Sequence, residues 1–166
     1  MQIVEVKDVE LGKDFLAVNA IMNAENPCYI RALDNEVNEV FDPAKNKNFK
    51  WGQAKRWVAY TDNGELVGRI AAFTNDKYLN KGTDFKTGGV GFFDSINDQA
   101  TANLLFDTAK EWLSSMGMEA MDGPINFGDR DKWWGLMVEG FNKEPMYGMS
   151  FNPAYYEALF EGYGFK

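Results

Sequence analysis

The sequence holds no histidine in its 166 residues and a single cysteine, Cys28. Absence of imidazole excludes Ser-His and Cys-His nucleophile pairs and any His-ligated metal. With one thiol, a zinc site would need mostly carboxylate ligands, so no metal is expected, and no intrachain disulfide can form. Acid–base work is left to Asp, Glu, Tyr, Lys or Cys28, or to main-chain groups holding a water. The opening stretch MQIVEVKDVELGKDF lacks the basic start and apolar run of a secretory leader. No segment is long and apolar enough to cross a bilayer. A cytoplasmic location is the resulting expectation. Positive charge is also short: 17 Lys and Arg face 25 Asp and Glu, a net charge of −8. That balance disfavours nucleic-acid and anionic-membrane partners and is compatible with a small amine.

Aromatic residues are plentiful, at 15% of the chain, in a composition that is 45% hydrophobic. This implies one globular domain over 1–166 with a large core or pockets. The alternation in MQIVEV predicts a first strand. Leu11, Phe15, Val18 and Met22 share one helical face. A second amphipathic helix is expected to carry Ile30, Leu33, Val37, Val40 and Phe41. The two apolar runs around TDNGE predict a hairpin, because Asn-Gly permits positive φ in a tight turn. A loop is expected over 76–89, then a strand in GVGFFDSIND. A helix follows from about Asp98 to Met116, capped by Asn97 or Asp98 and ended by Gly117. MEAMDGPIN predicts a short strand, DRDKWWGLMVEGF a helical centre and EPMYGMS an extended segment. NPAYYEALFEGYGFK predicts a last helix, with Asn152 as cap and closure at Gly162 or Gly164.

Three of these stretches resemble the GCN5-related N-acetyltransferase (GNAT) family. DNGELVGRIAAFTN is similar to its central hairpin, and GVGFFDSINDQATANLLFDTAKEWLSSMGMEAMDGPIN to its strand–helix–strand acyl-CoA segment. NPAYYEALFEGYGF is similar to its C-terminal helix, which commonly ends in Gly-Phe. GPINFGDRDKWWGLMVEGF resembles bacterial GNAT-like proteins longer than this chain. The resemblance implies an α/β (α+β) fold, a twisted mixed sheet flanked by helices on both faces. It implies acetyl-CoA or another acyl-CoA bound in a splay between the fourth and fifth strands, at roughly 91–96 and 119–124. Phe93, Ser95 and Ile96 on the fourth strand and Gln99, Ala100 and Thr101 at the helix start would then bind cofactor. Asn126 and Asn152 would bond its pantetheine arm, or serve as turn and cap residues.

Two departures bear on activity. The family's pyrophosphate loop, [RQ]-x-x-G-x-[GA], is replaced by DSINDQATAN, which has neither glycine nor a basic residue. The position of the family's general-acid tyrosine is Phe160, which cannot donate a proton; Tyr155, Tyr156 and Tyr163 lie nearby without aligning to that role, and Tyr156 is kept as a catalytic candidate. Only Lys166 follows Gly-Phe, where the family continues into further strands. The expectation is a shortened member or a fragment, whose open sheet edge would pair with a second copy. Asp94 is the candidate base, directly or through a water, or else a solvated turn carboxylate. Trp133, Trp134 and Arg130 either wall a substrate cleft or pack and pair locally. Two functions stand open: an acyl-CoA-dependent N-acyltransferase acting on a small amine, and a non-catalytic GNAT-fold binding module that has lost acyl-CoA.

Overall fold

The computed structural model describes residues 1–77, 84–128 and 130–166. Strand β1 (Gln2–Glu5) leads into α1 (Val9–Met22) and α2 (Asp34–Val40). A 3-10 turn at Lys47–Lys50 precedes β2 (Ala54–Tyr60), β3 (Leu66–Phe73) and β4 (Thr87–Ser95). Helix α3 (Gln99–Ser115), strand β5 (Ala120–Asp122) and helix α4 (Tyr156–Tyr163) complete the order. The strands form one sheet in chain order, antiparallel throughout except for the parallel β4–β5 pair. This is the mixed α+β sheet that the resemblance implied.

Period-2 alternation assigns the two faces. Trp57, Ala59, Ile70, Ala72 and Val90 point toward α3 and α4, whose Leu105, Phe106, Ala109, Leu113, Leu159 and Phe160 complete the larger core. Val58 and Ala71 point the other way, onto Phe15, Leu16 and Val18 of α1 and Val37 of α2. Phe106 is the centre of the larger core: it stacks on Phe93 at 4.5 Å and meets Phe160 edge-on at 4.9 Å. The β2–β3 hairpin turns as Asn63-Gly64 requires, with Gly64 at φ 84°.

Several local expectations are corrected. The second helix is shorter than its apolar pattern, since Ile30 lies outside it and Leu33 is only its N-cap. Strand β4 starts at Thr87, inside the expected loop; of that loop, residues 78–83 lie outside the described residues. Asp129 lies outside the described residues, and residues 130–141 of the segment DRDKWWGLMVEGF form no helix, because Trp133 and Gly135 both take positive φ, 47° and 84°, and break the helical path. EPMYGMS, expected to be extended, turns at Tyr147 and Gly148 and forms no strand. Asn152 does not cap the last helix, whose N-cap is Tyr155. Its amide instead brackets the Met137 peptide, accepting from its N–H at 2.9 Å and donating to its C=O at 3.1 Å.

Two features of β4 position the site. Arg69 pairs with Asp94 and Ala71 with Gly91, so Phe92 and Phe93 together face the single residue Ile70. This bulge holds Phe92 at φ 48°, a region that disfavours a bulky side chain. Strand β5 stops opposite Gly89, and the chain beyond it crosses Gly91, where a Cβ would sit 1.8 Å from the Ile125 carbonyl oxygen. The far half of β4 therefore has no strand on that side, and α4 takes its place. Tyr156 receives the Ser95 N–H at 3.1 Å, and Tyr155 donates to the Ser95 carbonyl at 2.8 Å.

Candidate active site

Asp94, on β4 beyond the bulge, is 1% exposed and lies opposite Arg69 of β3. Arg69 Nε donates to its Oδ2 at 2.6 Å. Asn19 Nδ2, from α1, reaches both carboxylate oxygens at 3.0 and 3.1 Å. The Tyr156 hydroxyl donates to Oδ1 at 2.9 Å. A carboxylate offers about four lone-pair positions, and protein donors use all four here. The cluster extends outward through Tyr29, whose hydroxyl donates to Asn19 Oδ1 at 2.6 Å. Arg69 also donates to the Phe15 carbonyl at 2.9 Å and lies over the Phe15 ring. Burial, then the Asp94 charge, pushes the Tyr29 phenol up to about 12. The same two causes hold Tyr156 well above the ordinary 10.0. Both phenols are neutral donors at physiological pH.

This cluster forms the polar side of a cavity of about 100 Å³. Its apolar walls include Leu16, Phe92, Phe93, Trp133, Leu136 and Phe160, and Ile30, Arg31, Asp34 and Met149 lie at exposed positions around it. The segment over 130–152 closes one side without regular structure, held by specific tethers. Trp133 N–H donates to the Gly148 carbonyl at 2.7 Å, Gly135 N–H to the Pro124 carbonyl at 2.8 Å, and Lys132 pairs with Glu36 at 3.1 Å. Such an apolar pocket with a few convergent polar groups is the usual form of a small-molecule site.

The expected site residues separate into three places. Phe93, Asp94, Trp133, Asn152 and Tyr156 all border this cavity. Trp134, Arg130 and Asn126 border a second cavity of about 120 Å³, where the Arg130 guanidinium lies 5.0 Å from the Trp134 ring centre. The two tryptophans therefore serve different cavities. Ser95 ends β4, Ile96 follows it, and Gln99, Ala100 and Thr101 form the start of α3. Sequence reasoning missed Arg69, Asn19 and Tyr29. The available signal was one positive charge in LVGRIAAF and one negative charge in GVGFFDS, lone opposite charges in two otherwise apolar strands.

The start of α3 tests the implied CoA. A pyrophosphate there needs free main-chain N–H groups and a positive field. Asp98 caps the helix instead: its Oδ2 accepts from Thr101 N–H at 2.8 Å and from Thr101 Oγ1 at 2.7 Å. Those hydrogen bonds hold the Asp98 carboxyl below its ordinary range, so the charge at this end is negative. The Ile96 N–H is used by the Val67 carbonyl. The Gln99 amide is turned onto α4, donating to the Leu159 carbonyl at 3.1 Å. These residues do not fit a CoA pyrophosphate.

Over its whole length the chain superposes on 91% of an aminoglycoside 6'-N-acetyltransferase from Acinetobacter haemolyticus, with a TM-score of 0.59 and 15% identity. The chain has the GNAT fold. It is 31% identical over 156 residues to the bacterial ceramide synthase of Caulobacter vibrioides (strain NA1000 / CB15N), covering 93% of this chain and 40% of that protein. It is 32% identical over 154 residues to Protein YghO of Escherichia coli K12, covering 92% of this chain and 38% of that protein. The GNAT-fold chain thus spans about two fifths of the length of these curated relatives. No protein-family model matches it. Among the described residues of this GNAT fold, no helix is long and apolar enough to cross a membrane, and no cluster of acidic or cysteine side chains could hold a metal.

Proposed function

We propose that this chain is the acceptor-binding, GNAT-fold unit of an amide-forming N-acyltransferase, and that its cavity takes an amine carrying an alkyl chain. The observation that carries this reading is the buried Asp94–Arg69–Asn19–Tyr156 cluster on the side of an aromatic-walled cavity. The likeness to a ceramide synthase supports the substrate class, since ceramide is the amide of a long-chain amino alcohol and a fatty acid. Acyl transfer to nitrogen requires the neutral amine. Burial in the cavity disfavours the ammonium form, against the Asp94 charge, which outweighs that of Arg69 at Tyr29. Asp94 acts in this reading as a positioning residue. It keeps Arg69, Asn19 and Tyr156 oriented, and a hydroxyl beside the amine is recognised by Tyr29 and Asn19. The bulge at Phe92 interrupts the β3–β4 ladder beside the cavity, where strand backbone would polarise an acyl carbonyl.

A second reading, favoured by the Asp98–Thr101 cap, is that the unit binds its ligand and transfers no acyl group. Calorimetric titration of the purified chain with 2-amino-1-butanol, and separately with CoA, tests the proposal. Saturable heat with the amino alcohol and none with millimolar CoA is expected. No heat with the amino alcohol overturns the acceptor site, and micromolar CoA affinity overturns the account of α3. Amide formation from acetyl-CoA by the isolated chain would assign it the whole reaction rather than acceptor binding.

A further inference from the structure

The cavity is too small for a long alkyl chain. A dry protein cavity of about 150 Å³ accommodates benzene, so the ~100 Å³ here holds the polar end and roughly the first few carbons. The remaining carbons of a long-chain amine must leave through the opening and cross the surface beside it. That surface carries apolar side chains beside the exposed Arg31–Asp34 ion pair. Ile30 and Met149, which border the cavity, are 54% and 51% exposed, and Leu33, between the bordering residues Ala32 and Asp34, is 63% exposed. Ile30, Leu33 and Met149 themselves lie outside every helix and strand, Leu33 being the N-cap of α2. The two segments that carry them are fixed in place. The Asn26 side chain donates to the Phe141 carbonyl at 2.9 Å, Tyr29 is anchored on Asn19, and Tyr147 and Lys132 both bond Glu36 of α2.

From this continuity we infer that Ile30, Leu33 and Met149 form a surface track for the alkyl chain of the acceptor and determine the chain length the site prefers. The inference rests on the acceptor reading above. A half-exposed track removes only part of each methylene from water, so each added carbon gains about twofold in affinity, against about fourfold for full burial.

A homologous series of 2-amino-1-alkanols from C4 to C14, each below its micellar concentration, is titrated into the wild-type chain and into Ile30→Ser, Leu33→Ser and Met149→Ser variants. Thermal unfolding of each variant confirms that it is folded. Expected for the wild type is a rise of about twofold per methylene that continues past the length the cavity holds. Leu33→Ser, which lies outside the cavity lining, should bind the C4 compound as the wild type does, and all three variants should show a flattened rise for longer members. A wild-type affinity that stops rising beyond the short members overturns the track, as does a rise that all three variants share. Failure of the C4 compound to bind is a different result and removes the acceptor reading itself, and the track with it.

Discussion

Arg69 Nε lies 2.6 Å from Asp94 Oδ2 across the β3–β4 pair, with the two side chains 7% and 2% exposed. A buried ion pair is costly to form and costlier to break on one side, because the surviving charge keeps its desolvation penalty. Asp94→Asn leaves the Arg69 guanidinium without its counter-charge and should lower unfolding free energy by about 3–5 kcal/mol. Arg69→Met leaves a carboxylate still held by Asn19 and Tyr156, so its cost should be smaller. The double variant Arg69→Met with Asp94→Leu should regain a substantial part of the loss, since apolar side chains of similar volume replace such pairs well. Urea denaturation of the four proteins checks this. A double variant no better than Asp94→Asn would mean that the pair is not the dominant interaction at this position.

Buried phenols should set the alkaline limit of the fold, with the Asp94 charge adding to burial at Tyr156 and Tyr29. Tyr156 titrates well above 10.0, through burial first and the Asp94 charge second, and Tyr29 at about 12 for the same reasons. Burial also raises Tyr155, Tyr60 and Tyr163. In the unfolded chain these phenols lose their protons near pH 10. Their contribution to stability is therefore whole below about pH 10. It is lost as pH climbs from there toward the folded values, because the unfolded state then binds fewer protons. Phenolate absorbance should lag behind that of free tyrosine and then rise together with loss of the far-ultraviolet circular dichroism. Tyr156→Phe should be less stable at neutral pH, having lost its hydrogen bonds, yet show a shallower decline above pH 10. An equally steep decline would assign the alkaline limit to the other tyrosines.

Much of the fold was legible because its elements obey one period each. The hairpin carried Asn63-Gly64 between two apolar runs, and α3 starts behind its Asp98 cap and stops short of Gly117, which takes φ 80°. The segment over 130–152 was not legible. Its apolar spacing suits a helix, but positive φ at Trp133 and Gly135 and the bonds of Asn152 to Met137 are decided by distant contacts. The candidate site was half legible for a related reason. Asp94 and Tyr156 stand in recognisable stretches, whereas Arg69 and Asn19 acquire meaning only when β3 and α1 are placed against β4.

At the start of α3, the Asp98 cap and anion binding compete for the same N–H groups. Asp98→Ala removes both carboxylate bonds to Thr101 and should cost about 1 kcal/mol of stability, within the usual range for a lost helix cap. It also removes a negative charge from the end of the helix that favours anions. CoA should still bind no more tightly than about millimolar, because this variant adds neither a basic side chain nor a glycine turn to the DSINDQATAN stretch. Thermal shift with and without CoA reads both quantities. Strong CoA stabilisation of Asp98→Ala would mean that a single carboxylate closes an otherwise intact pyrophosphate site.

The two adjacent tryptophans should differ sharply in what they contribute. Trp133 packs against Phe92 at 5.4 Å between the two smaller cores, and its N–H is tied to Gly148. Trp134 is 40% exposed and sits under Arg130 beside the other cavity. Trp133→Ala removes aromatic packing that fixes the cavity wall and should cost about 2–4 kcal/mol, somewhat less than truncating a fully buried aromatic, because this ring is only partly buried. The residue at position 133 must also hold φ 47°, so Trp133→Gly relieves backbone strain while losing the same ring. It should therefore be more stable than Trp133→Ala, the reverse of the usual order. Trp134→Ala should stay within about 1 kcal/mol of the parent, since an exposed ring and its cation contact are worth little. Amino-alcohol binding should weaken in both Trp133 variants and be unchanged in Trp134→Ala, which separates the cavity beside Asp94 from the one beside Arg130. Equal loss of binding in the Trp133 and Trp134 variants would place the ligand across both cavities and contradict the acceptor site proposed around Asp94.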